Sequence, residues 1–535
     1  MTLRLASVRR GTADAVKHYL VWSSRFPALF ALHVRAYRVV ERLLGARIRA
    51  VPGVCTVYLT HGLPLGECFP GLSDFDLVVV FDAPDRLRFY QRMRRRWIAL
   101  RRFLPANDLT LLSRAEFERW QALGGGGDPL DEVRHWRCLA GTDLRRDAFD
   151  TTSEQAECDR IAHGLGHFQN LMHVALKEEP RAQDFALVAR RQLHKSFWRS
   201  LLSLDPAYLA MPTQDRRIDA WMRHHGAPAL VGDLQAMQRE RFQRGPVSRL
   251  RFCAGALAFR EINRALAAMP RARPALRAPE GSREPDVPIA NLREVQERAQ
   301  ALTDSIVQRL AGIVESIVLS STGSVRGCAL YVVLRDELAE PEVARALVDL
   351  RAIHRVFDDP WFNEHFPDGL PTVLSRSMFA ALLRTSRSSL QYLDRHRRVL
   401  HGSDLYAQLL EEDRVRLDDD ARDDDLARRR LVYSLHLNQA YLRRHKPALY
   451  DFVTLYFPRL ALQLETGDAP ATAEEAVARY AARHPGRDGA FVQGFMEQHG
   501  GKDVDALVKT MSDDAFVEAW PWLRRPIVGA DAVAP

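Results

Sequence analysis

The chain has 535 residues, 47% hydrophobic and 27% charged, with a formal net charge of +8 from 76 basic and 68 acidic side chains. That length excludes a single ordinary core, and the composition is that of a folded, soluble protein. The charge excess is too thin to mark a nucleic-acid binder by itself, and six scattered cysteines without a CxxC pair exclude a disulfide framework or a cysteine zinc site.

Residues 1–33 form a basic N-terminal helical segment, rich in arginine and poor in acids. Arg25 and Pro27 interrupt its apolar run, so it reads neither as a signal sequence nor as a spanning helix. The expectation is a basic amphipathic helix packed on the body of a cytoplasmic protein with no membrane span. Attachment to a membrane surface is the lesser alternative. A helix over 34–49 leads into the apolar strand and glycine turn "VYLTHGLPLG" (57–66), then a second strand "LVVVF" (77–81). The basic stretch "RMRRRWIALRR" (92–102) follows on a helix, and "TLLSRAEF" (110–117) opens with a third strand. Residues 151–269 read as almost wholly helical, and the proline-rich stretch 270–290 reads as an extended linker. A second series then runs over 291–409, and helical periodicity returns over 410–535.

The two halves repeat each other. "VYLTHGLPLG" aligns with "VLSSTGSVRG" (318–327), setting Gly62 on Gly323 and Gly66 on Gly327. "LVVVF" aligns with "LYVVL" (330–334), "TLLSRAEF" with "TVLSRSMF" (372–379), and "RCLAGTDL" (137–144) with "RVLHGSDL" (398–405). Four matches in one order, including glycines and Ser-Arg pairs, point to a tandem duplication. The expected fold class is α+β: two tandem α/β domains (34–150 and 291–409), each followed by a helical domain (151–269 and 410–535).

Asp74 and Asp76 precede the second strand. Side chains alternate along a strand, so these carboxylates share one face, where a cation must join them or they repel. Magnesium prefers such oxygen ligands and leaves positions open for substrate phosphates. Asp108, at the opening of "LTLLS", is placed to supply a third carboxylate from a neighbouring strand. The turn carrying Gly62 and Gly66 would let backbone N–H groups approach a triphosphate.

The stretch "GLPLGECFPGLSDFDLVVV" resembles the signature of the nucleotidyltransferase superfamily that includes DNA polymerase beta and the aminoglycoside nucleotidyltransferases. Gly66, Pro70-Gly71, Ser73, Asp74 and Asp76 fall on its pattern of a glycine turn, a second glycine, Ser-Asp-x-Asp and an apolar strand. "RCLAGTDL" also looks like a segment found in small-substrate members. The resemblance covers about 35–150 and again about 298–410. It implies transfer of a nucleoside monophosphate from an NTP to a small-molecule or protein acceptor, with Mg2+ or Mn2+ held by Asp74, Asp76 and Asp108. It further implies nucleotide contacts at His61, Gly62, Gly66 and Ser73. The chain departs from the pattern where His61-Gly62 stands for Gly-Ser, and that substitution favours the alternative of a nucleotide-binding or scaffolding pseudoenzyme. Nucleic acid as partner is not favoured.

In the second repeat Cys328-Ala329 replaces "ECFPGLSDFD" (67–76), and Leu370 stands where Asp108 does, with Asp368 nearby. Without a carboxylate pair, that copy is expected to be catalytically dead. Of the remaining candidates, the basic helix 92–102 reads as a solvated face that buries Trp97, in preference to an RNA-stacking surface. His163, His167 and His173 lack an acid to complete a metal site, and Lys195 with Arg199 reads as a surface face. The run "DDDARDDDLARRR" (418–430) reads as an exposed acidic helix start.

Overall fold

The computed structural model describes residues 16, 19–24, 26–71, 73–101, 106–122, 133–146, 154–177, 183–225, 232, 250–269, 292–321, 328–357, 362, 371–385, 393, 397–412, 453, 457–466 and 473–499. The chain divides into two compact units. Unit 1 comprises Met1–Thr152, Glu179–Trp198 and Asp205–Leu250; unit 2 comprises Ser153–Glu178, Arg199–Leu204 and Arg251–Pro535.

In unit 1, helix α1 (Pro27–Arg49) is opened by a proline whose missing N–H costs nothing in the first turn. Its buried residues Tyr37, Glu41, Leu44, Gly45 and Ile48 recur at helical spacing. The helix lies on strands β1 (Val54–Leu59) and β4 (Arg137–Gly141). Contact is close enough that a Cβ on Gly45 would sit 2.7 Å from Leu139 Cβ. β2 (Phe75–Phe81) runs antiparallel to β1, as does β4, while β3 (Ala106–Ser113) runs parallel to β2, giving the order β3-β2-β1-β4. A parallel pair needs a crossover, and α2 (Arg86–Arg101) supplies it. This helix buries Phe89, Tyr90, Met93 and Trp97, with Phe89 stacked on Phe81 at 4.2 Å between ring centres. Trp97 is therefore core, while Arg92, Arg95 and Arg96 are exposed. Helix α3 (Arg114–Ala122) starts at a capping box: the Ser113 N–H donates to Glu116 Oε2 at 2.7 Å and the Glu116 N–H to Ser113 Oγ at 3.3 Å.

Unit 2 carries a second mixed sheet of the same order, β7-β6-β5-β8, from β5 (Val314–Ser321), β6 (Cys328–Leu334), β7 (Thr372–Ser375) and β8 (Arg397–Gly402). The fold class is α+β with two four-stranded mixed sheets, and the repetition reaches individual bonds. Thr56 pairs with Gly141 and Ser316 with Gly402. The Thr56 hydroxyl donates to the Thr142 carbonyl, and the Ser316 hydroxyl to the Ser403 carbonyl at 2.9 Å. Both glycines have positive φ (91° and 77°), and a Cβ on either would lie 2.0 or 2.1 Å from the backbone oxygen of Cys55 or Glu315. These pairings correct the alignment by one residue, because Thr56 matches Ser316 while the glycine-led alignment sets Val57 on Val318. The discrepancy arises because the strand pairs fix the register, whereas the turn glycines do not.

The helices of 151–269, expected as one domain, are divided between the units. Helix α4 (Glu154–Leu176) packs within unit 2 on α7 (Glu340–Phe357) and α8 (Arg376–Thr385). Helix α6 (Leu250–Ala268) joins them, with Gly255 against Leu347 and Met172. On α6, Asn263 accepts from Ser375 Oγ at 2.5 Å and donates to the Asp336 carbonyl at 3.4 Å. Apolar periodicity marks which face of such a helix is buried but not its partner. In unit 1, α5 (Gln214–His225) buries Ile218 and Trp221, and its Arg217 is fully buried. Residues 270–290 and 418–430 lie outside the described residues. No helix among the described residues is long and apolar enough to cross a membrane.

Candidate functional site

The loop between β1 and β2 is fastened by its own backbone. At its start the Thr60 N–H and Oγ1 both donate to the Asp76 carbonyl, at 3.0 and 3.2 Å. His61 follows at φ +63°, a left-handed conformation that a residue with a Cβ adopts at a cost of about 1 kcal/mol. The Glu67 N–H donates to the Gly62 carbonyl at 2.8 Å and the Gly66 N–H to the Leu63 carbonyl at 3.2 Å. Gly66, at φ +87°, faces open space, so its glycine serves the backbone conformation and not close packing. Leu63 and Leu65 are buried and anchor the loop, and the Leu65 carbonyl accepts from the Gln214 N–H at 3.2 Å.

Ser73 is buried at 3% exposure. Its hydroxyl accepts from the Phe69 N–H at 2.9 Å and donates to the Glu67 carbonyl at 3.3 Å. The Tyr37 hydroxyl donates to the Ser73 carbonyl at 3.0 Å and accepts from the Gly71 N–H at 3.1 Å. Ser73 thus binds the loop together immediately before the carboxylates. Phe75 is buried against Tyr37, 5.2 Å between ring centres, while Asp74 and Asp76 on either side of it are half-buried. Asp76 lies within β2, where strand alternation sets it on the face opposite the phenyl ring, and Asp74 stands immediately before the strand.

Asp108 lies on β3, the parallel neighbour of β2. The register runs Phe75↔Ala106 and then Leu77↔Leu109, so Asn107 and Asp108 together stand beside the single residue Asp76. This bulge brings the third aspartate's backbone to the edge where the pair sits, and bulges of this kind re-aim side chains. The Asp108 side chain lies outside the described residues. No group of three or more histidines, cysteines, aspartates or glutamates able to hold a metal occurs among the described residues. Within them, the site contributes the Asp74 and Asp76 pair.

One acidic side chain beside this turn escapes sequence reasoning. A Cβ on Gly62 would lie 2.7 Å from Glu67 Oε2, so the Glu67 carboxylate covers the face of Gly62. The bond from the Glu67 N–H to the Gly62 carbonyl sets that approach, and no residue spacing announces it.

Asp143, at the end of "RCLAGTDL", is committed elsewhere. It accepts from Arg145 Nε at 2.9 Å and from the Tyr58 hydroxyl at 3.0 Å, and the Arg145 bonds hold its carboxyl below the usual range. Asp404 at the matching position of unit 2 is also held by an arginine, but by Arg397 seven residues earlier, at 2.9 Å. Burial pushes the Tyr58 phenol up. Nearby, burial lowers the His135 imidazole to about 4, with the Arg217 guanidinium adding to the effect. His135 Nε2 is 3.1 Å from Arg217 Nη2 and 3.0 Å from the Leu209 carbonyl.

At the equivalent edge of unit 2, Ser320 pairs with Ala329 and Ser321 with Cys328, which is buried. Ala329 therefore stands at the Asp76 position and Cys328 at that of Phe75. Gly323, Ser324, Gly327, Asp368 and Leu370 lie outside the described residues. On α4 the His163 and His167 rings contact each other at 4.4 Å between centres. Lys195 is half-buried and Arg199 is 2% exposed, which corrects the expected surface face. Comparison with protein-family models, curated proteins and solved structures returns no match.

Proposed function

We propose that unit 1 is a metal-dependent nucleotidyltransferase that moves a nucleoside monophosphate from an NTP to a small-molecule or protein acceptor, and that the second sheet is a copy without this chemistry. The observation that carries the reading is the β3 bulge, which sets the Asp108 backbone beside Asp76 while Asp74 and Asp76 flank a buried phenyl ring. Hard carboxylate oxygens on neighbouring strands suit Mg2+ or Mn2+, and Asp74, Asp76 and Asp108 would hold it. A bound ion would lower the pKa of the acceptor hydroxyl and neutralise the departing pyrophosphate. In the reaction, the acceptor hydroxyl gives up its proton to solvent and its oxygen bonds to the α-phosphorus of the NTP as the bond to the bridging oxygen breaks, releasing pyrophosphate.

The chain's own part is positional. Thr60 fixes the Asp76 backbone, Ser73 and Tyr37 fix the loop that delivers Asp74, and Phe75 anchors the strand between them. His61, Gly62 and Gly66 border the turn on which the triphosphate would lie.

A second reading, a nucleotide-binding or scaffolding pseudoenzyme, draws on the Glu67 carboxylate over Gly62, where it would repel phosphate. Incubation with each of four α-labelled NTPs, Mg2+ or Mn2+ and a lysate as acceptor source separates the two. Label transferred by the wild type and not by Asp74→Ala/Asp76→Ala supports the enzyme. Absence of transfer together with absence of metal-dependent NTP binding ends it.

A further inference from the structure

Helix α1 (Pro27–Arg49) has two apolar faces. One lies on the sheet. The other is solvent-exposed and consists of Leu32, Ala36, Val39, Leu43 and Ala46, continued by Ala50 at the C-cap. Leu32 is 57% exposed, and Val39 and Leu43 are each 55% exposed. The intervals alternate between four and three residues, which is the a/d spacing of a coiled-coil seam. Arg35, Arg42 and Arg49 recur one heptad apart along one flank of this seam, and Arg47 stands on the other. Arg49 also donates to the Val54 carbonyl. Glu41 is the one acid within α1; it is buried and pairs with Arg137 at 2.9 Å. The exposed side of the helix therefore offers an apolar seam bordered by positive charge alone. Exposed Tyr19, Trp22 and Phe26 stand just before the helix, with Trp22 and Phe26 in edge contact at 5.7 Å.

We infer that this face docks an amphipathic helix of a partner protein, with an apolar seam of its own and acidic residues opposite Arg35 and Arg42. Charge complementarity selects this occupant. In an antiparallel pair of copies the arginine row would meet itself, and in a parallel pair Arg42 would meet Arg47. A lipid surface fits less well, because helices that lie in a bilayer present a broad face of bulky residues. Here the seam is narrow and half of its positions are alanine, which lets a partner backbone approach closely. The inference is independent of the carboxylate site.

The test uses the full chain and synthetic three-heptad peptides, with binding read by fluorescence anisotropy. One peptide has leucine at a and d and glutamate at e and g; a second has lysine in place of glutamate; a third scrambles the first. The acidic peptide should bind the wild type, and Arg35→Glu/Arg42→Glu should weaken it on the order of tenfold or more. The lysine peptide should bind only that double variant, a reciprocal gain that loss of folding cannot produce. Equal binding of the scrambled peptide, or of both charged peptides to the wild type, would overturn the proposal. A dimer in sedimentation that Leu43→Glu dissociates would make a second copy the occupant and overturn it. Binding to phosphatidylserine vesicles lost in Leu43→Glu, without acidic-peptide binding, would overturn it in favour of a lipid surface.

Discussion

Thr60 holds Asp76 from across the β1–β2 pair, its N–H and hydroxyl both donating to the Asp76 carbonyl at 3.0 and 3.2 Å. In the second sheet the same step pairs Ser320 with Ala329. The two sheets thus share a frame, and at this position only the first carries a carboxylate.

The shared frame depends on a glycine in each sheet. Gly141 and Gly402 have positive φ, and a Cβ would press into the backbone of β1 or β5. Gly141→Ala and Gly402→Ala should each cost on the order of 3 kcal/mol, through backbone strain and displaced strand pairing. Thermal unfolding of the two variants checks this. Alanine tolerated at either position would show that the paired strands can move apart at no cost.

His135 gives unit 1 an acid-sensitive point. Burial, aided by Arg217, lowers its imidazole from the usual 6.5 to about 4, so the fold favours the neutral ring. The unfolded chain binds the extra proton first. The contribution to stability is therefore whole above about pH 6.5 and is lost as pH falls toward 4. Unfolding temperatures taken between pH 7 and pH 4 should fall less steeply for His135→Gln than for the wild type. Parallel profiles would assign the acid sensitivity to other groups.

Glu67 should oppose the triphosphate in the proposed reaction. Its carboxylate covers Gly62, so Glu67→Gln should lower the KM for NTP several-fold, and more at low ionic strength, with little change in stability. A raised KM would instead mean that the carboxylate assists nucleotide or metal binding.

The strands were legible because apolar runs such as Leu77–Phe81 and Leu330–Leu334 are bounded by turns, and their ordered recurrence revealed the repeat. The glycine-led alignment and the strand register differ by one residue. Gly62 and Gly323 look equivalent in a linear alignment, but the hydroxyl bonds of Thr56 and Ser316 fix the pairing. The expectation of a single helical domain over 151–269 also rests on local periodicity, which carries no information about whether Gly255 meets Met172 and Leu347. The acidic pair is legible from its spacing before an apolar run, and the structure sets Asp74 just before β2 and Asp76 within it, both half-buried. Glu67 is not legible in this way, because its approach to Gly62 follows from the folded path of the loop.

Manganese binding followed by electron paramagnetic resonance tests the central claim most directly, because it reads the carboxylate edge without requiring the acceptor. The titration would compare wild type, Asp74→Asn, Asp76→Asn and Asp108→Asn, with circular dichroism to establish that each remains folded. The account predicts Mn2+ binding by the wild type in the presence of a non-hydrolysable ATP analogue, with loss in Asp74→Asn and Asp76→Asn and weakening in Asp108→Asn. No binding by the folded wild type, or binding that survives all three substitutions, would contradict it.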